Sequence, residues 1–209
     1  MRNFKILAVF FMASFFIFGN VSAEEKNFDE NENTREILTA ENKKNDVKNN
    51  FEVQLEYLSG KSFSSRNVNN YNVHLFQKIH EHRALSVYRG LTFTRAVGAT
   101  NPRLEGIWKD SNGVGFGPAM LLRWEKKISG KLHASWDFSG SILFYNRAHP
   151  AEGRAYGFLW RTGPRLIWKY GEGDSISLGY SVSHFSNGMR KHNPGYNTLG
   201  FSLGISHSF

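Results

Sequence analysis

The C-terminal segment of the chain alternates between large apolar residues and small or polar ones. The apolar positions are Leu199, Phe201, Leu203, Ile205 and Phe209, and glycine or serine stands beside each of them. Successive side chains of a β-strand leave opposite faces, so this segment predicts a strand with one apolar face and one polar face. Residues 175–186 alternate in the same way, which indicates that the pattern is a property of the fold.

Eight segments of this kind follow one another along the chain. Most are as long as the 9–11 residues that a tilted membrane strand needs, whereas strands of soluble sheets have about 5–6. Long and short connections alternate between them, as is typical of outer-membrane barrels. The pattern predicts an all-β fold, an eight-stranded antiparallel transmembrane β-barrel of the outer membrane, over residues 51–209. The segments lie at 51–58, 72–79, 85–96, 114–124, 131–144, 155–169, 175–186 and 198–209. A soluble lipocalin-like barrel, with its apolar faces turned inward, is the alternative fold.

The side chains predicted to face the lumen are mostly small, with a few charges. The charged ones are Arg123, Asp137, Arg161 and Arg165. An eight-stranded barrel has an interior just wide enough for side chains, so we expect a filled lumen and not a pore.

Aromatic residues near the strand ends predict two interfacial girdles. Trp124, Trp168 and Tyr170 lie next to short turns, and Tyr145 and Tyr156 lie next to a long loop. Aromatic side chains collect at these two levels of a membrane barrel.

The N-terminus predicts export. Arg2 and Lys5 precede an apolar run at 6–19, and the small residues Val21-Ser22-Ala23 follow it, so residues 1–23 are predicted to be a signal peptide. Residues 24–50 are rich in Asn, Glu and Lys and predict a disordered periplasmic tail. The chain has no Cys and a net charge of +8, of which the signal peptide carries +2 and the tail −3, so the predicted barrel carries +9. With both barrel ends in the periplasm, the long, mostly basic loops face the phosphates of lipopolysaccharide, and no nucleic-acid motif accompanies the charge.

A possible nucleophile and base lie at the outer end of the seventh segment, in His184-Phe185-Ser186-Asn187-Gly188. Residues two apart on a strand share a face at about 7 Å between their Cα atoms, so the His184 imidazole can reach the Ser186 hydroxyl. The alternation turns both toward lipid and Phe185 into the barrel. A polar pair on a lipid-facing side breaks the pattern, and such breaks are where function is expected.

This motif, with Asn193-Pro194-Gly195 and a last strand ending in Phe209, resembles the signature of the outer-membrane lipid A 3-O-deacylase (PagL) family. The resemblance implies a cofactor-independent serine esterase that hydrolyses the 3-hydroxyacyl ester at position 3 of lipid A in the outer leaflet. It implies that Ser186 is the nucleophile and His184 the general base. Asn187, with a backbone N–H near Gly188, would stabilise the oxyanion.

One position departs from the family pattern, because Asn197 stands where the family has a glutamate that orients the histidine. An amide oxygen can accept the histidine N–H, but it carries no charge to stabilise imidazolium. We predict Asn197 as the third catalytic residue, with a group from another strand as the alternative.

Other functions are left open by the residues alone. A non-catalytic barrel used for adhesion or envelope stability is the main alternative, and a calcium-dependent outer-membrane phospholipase fits less well because of the strand count and the His-before-Ser order. His80 and His82 lack a third ligand, so we expect no metal site. The expected partners are lipid A or lipopolysaccharide as substrate, and the barrel-assembly machinery through Phe209. The oligomeric state is left open between a monomer and a homodimer.

Overall fold

The computed structural model describes residues 50–61, 66–101, 106–189 and 195–209. The predicted signal peptide at 1–23 and the predicted tail through residue 49 lie outside these residues, and Asn50 already belongs to the first strand. The strands are β1 (Asn50–Ser59), β2 (Arg66–His82), β3 (Leu85–Thr100), β4 (Lys109–Asp110), β5 (Gly113–Ser129), β6 (Leu132–His149), β7 (Arg154–Lys169), β8 (Ser175–Phe185) and β9 (Tyr196–Ser208).

Eight of these strands close into an antiparallel ring. The ring runs β1, β2, β3, β5, β6, β7, β8, β9, and β9 pairs back to β1 from Asn50↔Ser208 to Ser59↔Leu199. The two-residue β4 pairs with the outer end of β3. Closure pairs the edges that an open sheet would expose. The predicted eight-stranded antiparallel barrel is therefore confirmed.

The outside of the ring is apolar. Along β1, for example, Phe51, Val53, Leu55 and Tyr57 are exposed while the residues between them are buried. The same outward apolar face occurs on the other long strands, which is the reverse of a lipocalin. Soluble proteins rarely expose a contiguous apolar surface of this size, so the belt is the lipid-facing surface of a membrane barrel. No helix among the described residues is long and apolar enough to cross a membrane.

The lumen is filled by charged side chains that pair with one another. Arg123 binds Glu52 through two hydrogen bonds of 2.7 and 2.9 Å and Asp137 through two more. Asp137 also accepts from Arg165 at 2.8 Å, and Arg161 donates to Glu56 at 2.9 Å. All three arginines are buried, as predicted for a filled interior.

Two expectations about the outer rim are wrong. Tyr145 does not join a girdle, because it is buried inside the barrel with its ring centroid 4.4 Å from that of His149. The predicted long loop after residue 144 is also mostly strand, since β6 continues to His149 and β7 begins at Arg154. Both errors have one cause: β6 and β7 extend beyond the alternating segments, and their pairing resumes at His149↔Arg154 after an irregularity that follows Phe144.

The girdle predicted at the short turns agrees with the structure. Trp124, Trp168 and Tyr170 are exposed at that end of the barrel. Tyr156, predicted for the outer girdle, is half-buried beneath the turn that follows β8.

Candidate active site

His184 lies in a row of three side chains that crosses the outer face of β7, β8 and β9. The strand register pairs it with Trp160 on one side and Asn197 on the other. Its Nδ1 is 2.7 Å from Asn197 Oδ1, and its ring stacks on the Trp160 indole with centroids 5.9 Å apart and planes 24° apart. With the amide oxygen as acceptor, Nδ1 carries the proton and Nε2 keeps its lone pair. The structure thus brings together His184 and the Asn197 predicted to orient it.

Ser186 directly follows β8 and is held against β7. Its N–H donates to Phe158 O at 2.8 Å, and the Phe158 N–H donates to Ser186 Oγ at 2.9 Å. The residue is 9 % exposed, less than the openly lipid-facing position that we predict from the alternation. Within the described residues, no hydrogen bond joins Ser186 to His184; catalytic hydrogen bonds are often long in ligand-free structures and tighten when substrate binds.

The turn after Ser186 packs tightly on the backbone of β7. Gly188 has φ +71°, and a Cβ there would come within 2.6 Å of the Tyr156 carbonyl oxygen. A Cβ on Gly157 would lie 2.4 Å from the Ser186 carbonyl oxygen. Asn187, which lies between Ser186 and Gly188 in the sequence, is buried, with 1 % of its surface exposed. Glycine is therefore required on both sides of this contact.

The inside of the barrel supports the same turn. Phe185 points into the barrel, as predicted, and stacks on Tyr196 with ring centroids 4.9 Å apart and planes 7° apart. The Tyr196 hydroxyl donates to Asn70 Oδ1 at 2.9 Å and lies 2.8 Å from His149 Nε2. This network fixes Tyr196 at the start of β9. Asn197 is the residue that follows Tyr196 on the strand.

A further anchor comes from β2, where Arg66 Nη1 donates a hydrogen bond to the carbonyl oxygen of Gly195. Gly195 immediately precedes β9. Asn193 and Pro194 of the sequence motif fall in residues 190–194, outside the described part of the chain.

Sequence reasoning missed the contribution of β7. Gly157, Phe158 and Trp160 contact the Ser186 turn and the His184 ring, yet they are far from the motif in sequence. The alternation of Tyr156, Phe158 and Trp160 within the segment 155–169 places them on one face of a strand but does not indicate which residues lie next to them. Strand pairing between β7 and β8 is what makes them neighbours of the site.

The arrangement has the parts of an esterase site. An oriented imidazole lies two residues before a serine hydroxyl, and a backbone turn with a left-handed glycine follows the serine. A base beside a hydroxyl can activate it, and backbone N–H groups in such turns can stabilise negative charge.

Comparison with known proteins identifies the family of the chain and similar solved structures. The family model described as "Lipid A 3-O-deacylase (PagL)" matches residues 68–206. A solved structure described as the outer membrane enzyme PagL is similar to the chain at a TM-score of 0.54 and 14 % identity, covering 74 % of this chain and 98 % of that one. The N-terminal β-barrel domain of OprF from Pseudomonas aeruginosa reaches a TM-score of 0.38 at 12 % identity, covering 77 % and 98 %.

No curated protein sequence matches the chain. The family match spans more than half of the chain and includes the strands β7, β8 and β9 that carry the candidate site. The chain belongs to the PagL family of lipid A 3-O-deacylases, hydrolases of the outer membrane.

Proposed function

We propose that this lipid A 3-O-deacylase works as a serine esterase, with Ser186 as the nucleophile and His184 as the general base. The observation that supports this assignment is the 2.7 Å hydrogen bond between His184 Nδ1 and Asn197 Oδ1. This hydrogen bond leaves Nε2 as the basic nitrogen of His184, which lies two residues before Ser186 in the sequence. Asn197 is the orienting residue.

The proposed reaction has two steps. His184 Nε2 takes the proton of the Ser186 hydroxyl while Oγ attacks the ester carbonyl carbon, and the tetrahedral intermediate then expels the sugar oxygen at position 3, which receives that proton. In the second step His184 takes a proton from water, the hydroxide attacks the acyl-enzyme, and Ser186 Oγ leaves with the proton returned to it. The products are lipid A with a free 3-hydroxyl group and a 3-hydroxy fatty acid.

The turn after Ser186 supplies the proposed oxyanion site. Asn187, through its side-chain amide, and a backbone N–H near Gly188 are the donors. The contacts of the turn with Gly157 and Tyr156 support this role, because preorganised donors need no rearrangement when charge develops. Removing one such donor from an acyl-transfer enzyme costs about 3 kcal/mol of transition-state stabilisation.

Asn197 gives this site a neutral orienting residue. Its amide oxygen holds the required tautomer of His184, but it does not offset the positive charge that the ring gains during the reaction. We therefore propose that the enzyme turns over more slowly than it would with a carboxylate at this position.

The location of the site supports lateral entry of the substrate from the outer leaflet. His184 is at the end of β8 opposite to the start of β1 and the end of β9, on the outer face of the barrel.

We further propose that residues 1–23 direct export, that residues 24–50 form a periplasmic tail, and that the barrel-assembly machinery recognises Phe209. Phe209 is 84 % exposed, so its ring is accessible to such a partner. A homodimer is a compatible state of the same barrel.

Mass spectrometry of lipid A tests the assignment. Lipopolysaccharide is incubated with the refolded full chain, and the lipid A is analysed for loss of one 3-hydroxyacyl group. We expect this loss with the wild type and with the control Ser183→Ala, whose side chain is buried in the lumen, but not with Ser186→Ala or His184→Ala. A folded Ser186→Ala variant that still deacylates would refute the nucleophile. Unchanged lipid A with the folded wild type, across several lipid A types, would favour the non-catalytic barrel.

A further inference from the structure

The outer face of β7 forms a column of side chains beside the candidate nucleophile. Reading down from the rim, the column consists of Arg154, Tyr156, Phe158 and Trp160, alternate residues of one strand. Phe158 holds Ser186 through the backbone, and Trp160 stacks on His184. The three aromatic residues are half-buried, and the arginine above them is exposed.

Arg154 is fixed relative to the Ser186 turn through Tyr156. Its Nη1 donates to the Tyr156 hydroxyl at 2.8 Å, and the guanidinium lies 5.6 Å from the centroid of the same ring. The Tyr156 ring in turn packs under Gly188, where an added Cβ would come within 3.0 Å of it. The guanidinium is thus held two contacts away from the turn that carries the nucleophile.

The bond to Tyr156 uses only part of the guanidinium. Arginine has five N–H donors, and its planar group matches the oxygens of a phosphate. Two other cations at this end are paired with carboxylates: Arg147 with Asp110 at 3.2 Å, and Lys109 with Glu152. Among the described residues, no carboxylate pairs with Arg154. Its remaining donors can therefore take an anion from outside the protein.

The column matches an anionic glycolipid in polarity and in order. Acyl chains lie at the depth of the aromatic side chains, and phosphorylated sugars lie at the rim, where Arg154 is. We propose that Arg154 binds a phosphate group of the lipid A substrate and makes the enzyme prefer phosphorylated lipid A over its phosphate-free form; this inference rests on the proposed function of Ser186. Phosphate binding at the rim would set the depth at which the scissile ester meets the nucleophile.

Steady-state kinetics with two substrates tests the proposal. Phosphorylated lipid A and the same lipid A after removal of its phosphates are compared in detergent micelles. We expect Arg154→Gln to lower kcat/KM for the phosphorylated substrate about tenfold, mostly through KM, and to leave the phosphate-free substrate unaffected. Arg154→Lys should keep an intermediate preference for the phosphorylated substrate, because an ammonium group retains the charge but not the planar set of N–H donors.

The matched control is Arg95→Gln, which removes an exposed arginine near the outer end of β3. Arg95→Gln should leave kcat/KM unchanged for both substrates. The control therefore distinguishes a general loss of positive charge from the loss of a specific contact. If Arg154→Gln slows both substrates equally, or neither, the proposed phosphate contact is wrong.

Native mass spectrometry of the barrel with each lipid separates this inference from the proposed function. If the wild type deacylates neither substrate, the esterase assignment fails. Tighter binding of phosphorylated lipid A, lost in Arg154→Gln and kept in Arg95→Gln, would still support the phosphate contact. Equal binding of both lipids by the wild type would overturn it.

Discussion

Ser186 Oγ occupies a position in the β7–β8 hydrogen-bond ladder that a backbone carbonyl normally fills. The Ser186 N–H donates to Phe158 O at 2.8 Å, as in any antiparallel pair, but the Phe158 N–H returns its bond to the serine hydroxyl at 2.9 Å. The hydroxyl is thereby aligned by the backbone of a neighbouring strand. Because the hydroxyl oxygen accepts this hydrogen bond from the Phe158 N–H, the hydroxyl hydrogen remains available for donation to a base.

Gly157 should be essential for activity because it makes room for this arrangement. In Gly157→Ala the new Cβ would lie 2.4 Å from the Ser186 carbonyl oxygen, so the turn must move. A displacement of about 1 Å at a reacting group costs about 100-fold in rate, and we expect a loss of that size in kcat. The rate of 3-hydroxyacyl release measures it.

Gly113→Ala is the control for Gly157→Ala. A Cβ on Gly113 meets its nearest atom, His149 Nδ1, at 3.4 Å, so it fits with little adjustment. Both variants should refold into barrels with wild-type electrophoretic mobility before and after heating. Full activity in Gly157→Ala would show that the packing of the Ser186 turn on β7 does not matter for catalysis.

Asn197 should be replaceable by aspartate but not by alanine. Asn197→Ala removes the 2.7 Å hydrogen bond to His184 Nδ1, and we expect kcat to fall about 100-fold because the ring loses its tautomer and orientation. Asn197→Asp keeps an acceptor and adds a negative charge that stabilises imidazolium, so its kcat should equal or exceed that of the wild type. An inactive aspartate variant beside an active alanine variant would contradict Asn197 as the orienting residue.

Trp160 should position His184 from the other side. Its indole stacks on the imidazole, and aromatic pairs of this kind contribute about 0.5–1.5 kcal/mol. We expect Trp160→Leu to lower kcat by about tenfold and Trp160→Phe, which keeps a ring, to lower it less. Trp124→Leu, which removes an exposed tryptophan at the opposite end of the barrel, is the control. Equal kcat in Trp160→Leu and Trp124→Leu would exclude a role of the stack.

The barrel could be predicted from the sequence because its two faces differ in chemistry at every second residue. The same signal failed above the membrane, where Tyr145 faces inward on a strand that we predict to have ended. Residues such as Asn146 and Arg147 carry no alternation, although the β6–β7 ladder resumes at His149↔Arg154.

The catalytic motif could also be predicted, because His184, Ser186 and Asn187 are close together in sequence. The β7 side of the site could not, since Gly157 and Phe158 meet Ser186 only through the register between β7 and β8. Register over long sequence separation leaves no mark in a single sequence. The lumenal partners of Arg123 were partly missed for the same reason: Glu52 stands on β1, across the barrel from it.

The ion pair between Glu52 and Arg123 should be a main determinant of barrel stability. Both side chains are at most 3 % exposed, and Glu52 also accepts from Gln54 at 2.6 Å. Glu52→Ala would leave Arg123 with Asp137 alone, and Asp137 already neutralises Arg165. Breaking a buried pair in this way costs about 3–5 kcal/mol, which should appear as a lower free energy of unfolding in denaturant titrations of the barrel in lipid.

Glu81→Ala is the matched control for the lumenal pair, because Glu81 bonds Lys78 at 2.8 Å near a short turn with half of its side chain exposed. An exposed pair contributes less than about 1 kcal/mol, since water screens its charges. The two acidic side chains carry the same charge, and Glu81 is half exposed where Glu52 is buried. If both variants unfold at the same denaturant concentration as the wild type, the lumenal charges do not stabilise the barrel, and its stability must come from the strand ladder and the lipid-facing belt.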